Sequence, residues 1–486
     1  MSVTAQARAV PFRLRSRQAL GMAAAALAAG ALAVWLPLVG LGLAILAACG
    51  ALLMRVPMPR LGRAAVVVTA VAAILGPNLA LPNAPWLFAF RILIVMLGLG
   101  ALGYLLLDGR LTIPAGLPLP GALLGLWFLW TALSIGWADD LAAAARWTLF
   151  MGMMGGLALG MAMACRTPRR ARMLLWTLGA TFGFALAVAF MELVLHIRLP
   201  TSALLGRPSD VAFGATSLFG NQNNFATYLT LTLPYFLALV VVFKDVRLRA
   251  IGIAGSVASL VALLFTGSKA NLVAGGLVLL GLLVTLGFDR SRRRQFGLAL
   301  AMAGLAVALV VPSVLGSGLI PLPQRAVTKF SFSILSEQVA AQQGSGAVRS
   351  SLLGDGLNLV GETGGLGVGA GNAETHVRAL ADFPGVGNLH DWWLEVLVNG
   401  GLIGLAIYVA FYLTLLRGQM RVARRSPDPL ARYLGLAGSL ALFGFVFGSL
   451  GPSTAIHFAP MWITFGLGML TLVLARRAAA QAEPAP

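Results

Sequence analysis

The stretch that decides the fold spans residues 388–416 and reads NLHDWWLEVLVNGGLIGLAIYVAFYLTLL. Its first residues are mostly polar or aromatic, and an apolar run from Leu394 to Leu416 follows them, with one carboxylate at Glu395. About 20 apolar residues suffice for a helix to cross the ~30 Å hydrocarbon core of a bilayer. The stretch therefore predicts a membrane-spanning helix that begins near Trp392, with a polar segment at its mouth.

The composition of the whole chain supports the same interpretation. Hydrophobic residues make up 59% of the chain and charged residues 10%, and the mean hydropathy is +0.88, which excludes an ordinary soluble globular protein. A span must be a helix or a closed barrel, because lipid offers no hydrogen-bond partner to the backbone, and the sequence lacks the alternation of a barrel. We predict an all-α, polytopic membrane protein with about 12–14 transmembrane helices. The predicted spans lie at 20–36, 37–54, 64–81, 86–107, 117–136, 145–164, 172–195, 223–243, 249–265, 270–288, 295–315, 392–416, 430–449 and 455–475.

The distribution of charge predicts the orientation. With the N-terminus in the cytoplasm, most of the 35 Lys and Arg residues fall in cytoplasmic connections, and all four histidines fall on the other side. This is the distribution that the positive-inside rule describes. It accounts for the formal net charge of +19 without a nucleic acid as partner.

Two long segments on the outer side, 196–222 and 316–391, interrupt the spans. The second exceeds the usual connection of about 4–6 residues several-fold, and its part 331–360 has the spacing of an amphipathic helix. The sequence thus predicts five regions. They are N-terminal transmembrane helices over 1–115, central transmembrane helices over 116–315, a large outer loop with short helices over 316–391, C-terminal transmembrane helices over 392–475 and a cytoplasmic tail over 476–486.

His390 is the candidate catalytic residue. The ordinary pKa of an imidazole lies near neutral, so it can accept a proton from a hydroxyl. At the mouth of a helix that begins near Trp392, the positive end of the helix dipole favours its neutral, basic form. Asp391 and Glu395 are close enough in sequence to orient it. The pattern also fits a surface histidine beside an interfacial Trp392–Trp393 belt, and this residue alone leaves both interpretations open.

Arg349 and Lys269 are candidate cations. Lys269 interrupts the turn between two apolar runs, and an ionisable residue that faces the interior of a bundle is usually functional. Arg349 offers a planar fork suited to phosphate oxygens. Together the two cations could hold a diphosphate without a metal. Either one taken alone fits an anchor to lipid headgroups equally well.

Two further polar clusters are candidates for binding or orienting a substrate. The glycine run 365–371 follows no predicted strand, so we interpret it as a tight turn rather than a dinucleotide-binding loop; it ends at Asn372. Asn221 and Asn223 open the span at 223. Amides at a helix start either cap the helix or contact sugar hydroxyls or a pyrophosphate.

Asp139 and Asp140 form an acidic pair in an outer turn. Carboxylate oxygens are suitable ligands for a divalent cation. Asp is also favourable in the first turn of a helix because of the helix dipole, and we favour that interpretation. No metal and no cofactor are expected.

These motifs, taken in order, resemble the O-antigen ligase and O-antigen polymerase superfamily. The order is an Asn-rich span start, a Thr-Gly-Ser-basic turn, a long loop with an Arg, a Gly-x-Gly-x-Gly-Asn run, and a His followed by Gly-Gly-Leu-Ile-Gly-Leu. The resemblance covers residues 120–475, and 349–404 is its most specific part. It implies a GT-C-like fold in the bacterial inner membrane, with a periplasmic site and both termini cytoplasmic. It also implies an inverting, metal-independent glycosyltransferase that uses glycans on undecaprenyl diphosphate.

The resemblance assigns roles to three residues. His390 matches the family's essential His, Arg349 matches its loop Arg, and Lys269 stands where members usually carry Arg. A lysine there would bind phosphate as a point charge rather than as a fork.

The resemblance is incomplete at the amide positions. Asn221 and Asn223 fall on the family's Asn-Pro-Asn pattern, but Gln222 replaces the Pro. Asp391 stands where an Asn often follows the His, and it is a candidate orienting residue.

The expected function is that of an O-antigen ligase-like enzyme, which transfers the glycan to an acceptor hydroxyl on lipid A-core or a similar molecule. A polymerase that extends the lipid-linked chain by the same chemistry is the alternative. A flippase for lipid-linked glycans and a purely structural membrane component are the rivals from other classes. The expected partners are the lipid-linked donor, a glycan or lipid-glycan acceptor and membrane lipid.

Overall fold

The structure is a computed structural model that describes residues 58–81, 84–108, 113–207, 214–287, 297, 301, 304, 344–379, 388–452 and 456–482. In these ranges the chain forms helices and one short hairpin. The helices are α1 Met58–Leu75, α2 Ala89–Asp108, α3 Pro118–Leu133, α4 Leu141–Ala164, α5 Pro168–Val194, α6 Gln222–Val242, α7 Val246–Thr266, α8 Lys269–Gly287, α9 Gly344–Glu362, α10 Ala373–Ala379, α11 Trp392–Arg425, α12 Pro429–Gly448 and α13 Ala459–Ala482. The strands β1 Ala80–Leu81 and β2 Ala84–Phe88 pair antiparallel.

Ten helices of the described ranges are long and apolar enough to cross a membrane, and α2 adds a shorter apolar helix over Ala89–Leu99. The prediction of a polytopic, all-α membrane protein is therefore confirmed. Each predicted span inside the described residues overlaps one of these helices, although several ends differ. The predicted spans 20–36 and 37–54, and almost all of 295–315, lie outside the described residues. The sequence did not predict the hairpin of β1 and β2, because its few residues continue the apolar run.

Short polar side chains set where many of these helices begin. Helices α4, α6, α7, α11 and α12 each start after an Asp or Asn whose side chain accepts a backbone N–H of the first turn. The capping residues are Asp140, Asn221, Asp245, Asp391 and Asp428. Such a cap satisfies an N–H group that has no partner inside the helix.

The core of the bundle lies between α3, α6, α11, α12 and α13. Aromatic rings meet there: Trp127 stacks on Trp462 with the ring centroids 5.8 Å apart, and Trp392 meets Phe445 edge-on at 5.6 Å. These four residues are almost fully buried. The described residues from Ala65 onward form one compact unit. The five-region division proposed from the sequence stays a prediction.

Candidate functional site

His390 sits in a tight turn at the start of α11. Its backbone N–H donates to the side-chain oxygen of Asn388 over 3.2 Å, and its φ is 51°. A non-glycine residue in the left-handed region carries a strain of about 1–3 kcal/mol, and such strain is frequent at functional sites. The next residue, Asp391, caps α11 by accepting the N–H groups of Trp393 and Leu394 at 2.9 and 3.4 Å. The cap therefore fixes where α11 begins, directly after His390.

Helix α9 brings Arg349 to this turn. One face of α9 is apolar, and Leu352 and Leu359 are buried against Leu394 and Val398 of α11. This pairing explains the amphipathic spacing predicted for 331–360, of which residues 331–343 lie outside the described part. Because α9 packs on the first turns of α11, Arg349 is held close to the start of that helix.

Three side chains at this turn are close enough to shift one another's pKa. Burial and, to a smaller extent, the positive charge of Arg349 together lower the pKa of His390 to about 4. Burial raises the pKa of Asp391, while the hydrogen bonds from Leu394 and Trp393 and the charge of Arg349 oppose that rise. Burial lowers the pKa of Arg349, and the carboxylate of Asp391 counters this. The structure thus brings His390, Arg349 and Asp391 into one electrostatic cluster in which the imidazole is neutral at pH 7.

Lys269 lies at the start of α8, at the same end of the bundle. Two residues on, the Asn271 amide donates to the hydroxyl of Thr227 at 3.1 Å, and the oxygen of that hydroxyl lies 3.3 Å from the carbonyl oxygen of Gly448. The neighbouring Ser449 carbonyl accepts the N–H of Trp392 at 3.3 Å. These contacts join the starts of α6, α8 and α11 through the end of α12. The role of Lys269 as a second cation of the site stays a prediction.

The glycine run packs into a break in α11. Gly401 has φ 65° and ψ −168°, a conformation that interrupts the helix. The N–H of Leu402 donates to the carbonyl of Gly365 at 2.8 Å, and the N–H of Val368 donates to the carbonyl of Val398 at 2.9 Å. A Cβ on Gly367 would lie 2.5 Å from the backbone nitrogen of Gly401. The run is therefore a turn that docks backbone against backbone, as the sequence predicted in part.

Asn372 ties this turn to the start of α4. Its side-chain oxygen accepts the N–H of Asp140 at 2.7 Å, and its amide donates to the carbonyls of Asp140 and Ala370 at 3.2 and 2.9 Å. The residue is fully buried, so its amide stabilises the loop. Its proposed contact with a substrate stays a prediction.

The amides at the start of α6 have local partners. Asn221 caps the helix by accepting the N–H of Asn223 at 2.8 Å, and the carbonyl of Asn223 accepts the hydroxyl of Thr227 at 2.9 Å. The capping interpretation thus holds for Asn221. Contact of either amide with a sugar or a diphosphate is untested.

The acidic pair Asp139 and Asp140 has structural partners. Asp140 caps α4 by accepting the N–H of Ala143 at 2.9 Å, and Asp139 lies 3.2 Å from the Nε2 atom of His376. Among the described residues, no three His, Cys, Asp or Glu side chains form a group that could hold a metal ion.

Several residues that frame the site were missed by the sequence reasoning. The indoles of Trp130 and Trp137 donate to the carbonyls of Gly400 and Gly367 at 2.7 and 3.1 Å. The Asn399 side chain accepts the N–H that opens α10, at 3.1 Å. The Asn-Gly-Gly run at 399–401, inside a predicted span, could have indicated these contacts, because glycines weaken a helix.

The fold and the cluster together define a class. The protein is a multi-pass helical membrane protein with a neutral imidazole, a guanidinium and a carboxylate gathered at one end of its bundle.

Comparison with known proteins makes this class more specific. Residues 254–409 match the family described as O-Antigen ligase. The teichuronic acid biosynthesis protein TuaE of Bacillus subtilis (strain 168) is 24% identical over 412 residues, which are 82% of this chain and 81% of the relative. Residues 254–409 of this chain are thus similar to an O-antigen ligase domain. The match contains Lys269, Arg349 and His390.

Proposed function

We propose that this protein transfers a glycan from undecaprenyl diphosphate to a hydroxyl of an acceptor, with lipid A-core or a similar glycolipid as the acceptor. The observation that carries the proposal is the cluster of His390, Arg349 and Asp391 at one end of a membrane bundle, inside the matched family domain. Under this proposal the site faces the periplasm of a bacterial inner membrane. The basic excess of the sequence supports that orientation.

In this mechanism His390 is the general base. Its neutral imidazole takes the proton of the acceptor hydroxyl while the hydroxyl oxygen attacks the anomeric carbon. The bond between that carbon and the diphosphate oxygen breaks, and the diphosphate leaves on the opposite side with the electron pair, which inverts the configuration. The imidazolium later returns its proton to water. General bases of this kind contribute roughly 10²–10⁴-fold to the rate.

Arg349 and Lys269 would stabilise the leaving diphosphate. The negative charge grows on the bridging oxygen as the bond breaks, and a preorganised cation beside it lowers the barrier. Arg349 suits this role because it is half-buried and its fork can bind two phosphate oxygens. Asp391 would keep the guanidinium in place through the attraction between its carboxylate and the positive charge of Arg349.

Donor binding would also activate the base. Arg349 lowers the pKa of His390 in the free protein. A bound diphosphate would neutralise the guanidinium and remove that effect, so the pKa of His390 would rise toward the working pH. A base with a pKa nearer the working pH transfers protons more effectively.

The test is a transfer assay with the purified full-length protein in vesicles. The expected result is release of undecaprenyl diphosphate together with a new glycosidic bond on the acceptor, at the same rate with and without EDTA. Movement of the lipid-linked glycan across the bilayer with no new bond would reject the proposal in favour of a flippase. Loss of activity with EDTA that Mg²⁺ restores would reject the metal-independent mechanism.

The buried carboxylate of Glu192 bears on the flippase rival. A transporter that couples to protons or ions needs ionisable groups inside the membrane that can change their charge. Glu192 lies in α5, fully buried, and its carboxylate accepts three hydrogen bonds of 2.7 Å from Thr216 and Ser217. A carboxylate that holds a loop in this way is a structural group, so this residue does not favour transport.

Chain extension is the second candidate. The relative in Bacillus subtilis is named for the biosynthesis of teichuronic acid, and this favours a polymerase that lengthens a lipid-linked glycan. A deletion strain separates the two candidates. Loss of a ligase leaves long chains on the carrier lipid, whereas loss of a polymerase leaves single repeat units on both the carrier and the surface.

A further inference from the structure

A cavity of about 580 Å³ lies among α5, α6, α7, α12 and α13. Its volume falls within the ~300–1,000 Å³ of typical ligand sites. Arg172 and Asp428 line one end of it, and Tyr228 and Phe182 line the other. None of the residues that form the candidate catalytic site lines this cavity.

The mouth of the cavity faces away from the candidate site. His390 precedes the first residue of α11, whereas Asp428 follows the last residue of that helix, Arg425. The mouth therefore lies at the end of the bundle that carries the basic connection 166–172. Along α5 the lining runs from Pro168 to Phe182, a rise of about 21 Å. This length exceeds the roughly 15 Å of hydrocarbon that one leaflet contributes.

The walls are apolar and open to the surrounding lipid. Trp176 and Ile251 line the cavity and are 58% and 38% exposed. Tyr235 also lines it, and its buried hydroxyl has no hydrogen-bond partner among the described residues. A buried hydroxyl without a partner is rare in proteins. This hydroxyl can donate to an oxygen atom of a molecule that occupies the cavity.

We propose that this cavity holds one acyl chain of an anionic glycerophospholipid from the leaflet at the basic end, with the lipid phosphate beside Arg172. The exposed guanidinium of Arg172 at the mouth supplies the charge complement. The carboxylate of Asp428 accepts the N–H of Ala431 at 3.0 Å. An apolar space that opens into a bilayer takes up hydrocarbon, and each basic residue near the surface favours an anionic headgroup. The proposal does not depend on the reaction at His390.

Photolabelling of the full-length protein tests the proposal. The protein is placed in phosphatidylcholine vesicles that contain a little phosphatidylglycerol with a photoactivatable acyl chain. Label is expected on the cavity faces of α6 and α13, around Tyr235 and Ile463. Replacement of the probe by an undecaprenyl phosphate with a photoactivatable tail should label these faces less. Stronger labelling by the prenyl probe would overturn the choice of occupant.

Two glycines of α5 supply a matched pair of variants. A Cβ on Gly179 or on Gly183 would meet no atom within 4 Å, but only Gly179 lines the cavity. Gly179→Phe should lower the labelling of α6 and α13 about tenfold, as expected when roughly two methylene groups lose their buried contact. Gly183→Phe should leave it unchanged. Equal labelling in the two variants would contradict the proposal.

The charge at the mouth gives an independent test that does not rest on packing. Arg172→Gln should lower the preference for phosphatidylglycerol over phosphatidylcholine probes about fivefold. Arg169 is also exposed on the first turn of α5 but does not line the cavity, so Arg169→Gln should keep the preference. Equal losses in both variants would mean that the basic end attracts anionic lipid only in a general way, and would overturn the proposed site.

Discussion

The break in α11 at Gly401 offers the sharpest test of the site's frame. A Cβ on Gly401 would lie 2.3 Å from both the carbonyl oxygen of Gly365 and the carbonyl carbon of Leu366. Both atoms belong to the backbone, so neither can rotate away as the end of a side chain could. The neighbouring Gly400 is the matched control, because its Cβ would lie 3.8 Å from the ring of Trp130, an ordinary contact.

The cost of Gly401→Ala has two sources. The backbone conformation at this position is one that only glycine adopts readily, and another residue costs about 1–3 kcal/mol there. The overlap must also push the glycine turn outward and break the bonds Leu402 N–H to Gly365 and Val368 N–H to Val398, each worth about 0.5–1.5 kcal/mol net. We expect a local loss of about 3 kcal/mol, whereas Gly400→Ala should change the local stability by less than about 1 kcal/mol.

Hydrogen exchange of the purified protein in micelles measures this loss where it occurs. The amides of Val368 and Leu402 should lose about 10²-fold of their protection in Gly401→Ala, since about 1.4 kcal/mol corresponds to a factor of ten. Peptides from α12 should keep theirs, which shows that the fold survives. Equal protection in the Gly401 and Gly400 variants would refute the docking of the turn into the helix break.

Three further predictions concern the cluster and its support. The pH profile of kcat/KM should stay level from neutral pH down to about 5 and fall as His390 becomes protonated near pH 4, because the base works only when neutral. In the profile of kcat, which reports the protein with donor bound, the fall on the acid side should lie at higher pH. Falls at the same pH in both profiles would contradict activation of His390 by the donor. Arg349→Gln should lower kcat by roughly 10²–10³-fold. Arg349→Lys should lower kcat by less, since lysine keeps the positive charge but lacks the planar fork of the guanidinium. Steady-state kinetics in which both variants equal the wild type would remove Arg349 from the mechanism. Asn372→Asp should lower the midpoint of thermal unfolding in micelles, because it removes two hydrogen-bond donors and buries a charge, at a cost of about 1–3 kcal/mol or more. An unchanged midpoint would contradict the structural hydrogen bonds of Asn372 to Asp140 and Ala370.

The sequence predicts the helices well because apolar length alone decides a span in lipid. The run that begins at Leu394 has few alternatives to a helix once water is excluded. The break inside that helix was not predicted, since Gly400 and Gly401 do not interrupt the apolar run and the turn that docks there lies over thirty residues upstream. The distribution of basic residues along the sequence predicted that His390, Arg349 and Lys269 lie on the same side of the membrane.

The contacts that hold the site together were harder to predict. Asn372 was predicted to bind or orient a substrate, which stays untested, and its side chain bonds Asp140, which is 232 positions away in the chain. No local pattern encodes such a pairing. The resemblance assigned roles to His390 and Arg349, and the packing of α9 on α11 gives a physical cause for their proximity.

The most direct measurement of the central claim is the transfer rate of His390→Asn beside that of His196→Asn. Both histidines have left-handed backbones, with φ values of 51° and 56°, and Asn tolerates that conformation, so both variants should fold. The amide cannot accept the proton as an imidazole does. His390→Asn should lower kcat by roughly 10²–10⁴-fold while His196→Asn keeps the wild-type rate. A His390→Asn protein that transfers glycan at the wild-type rate would contradict the account.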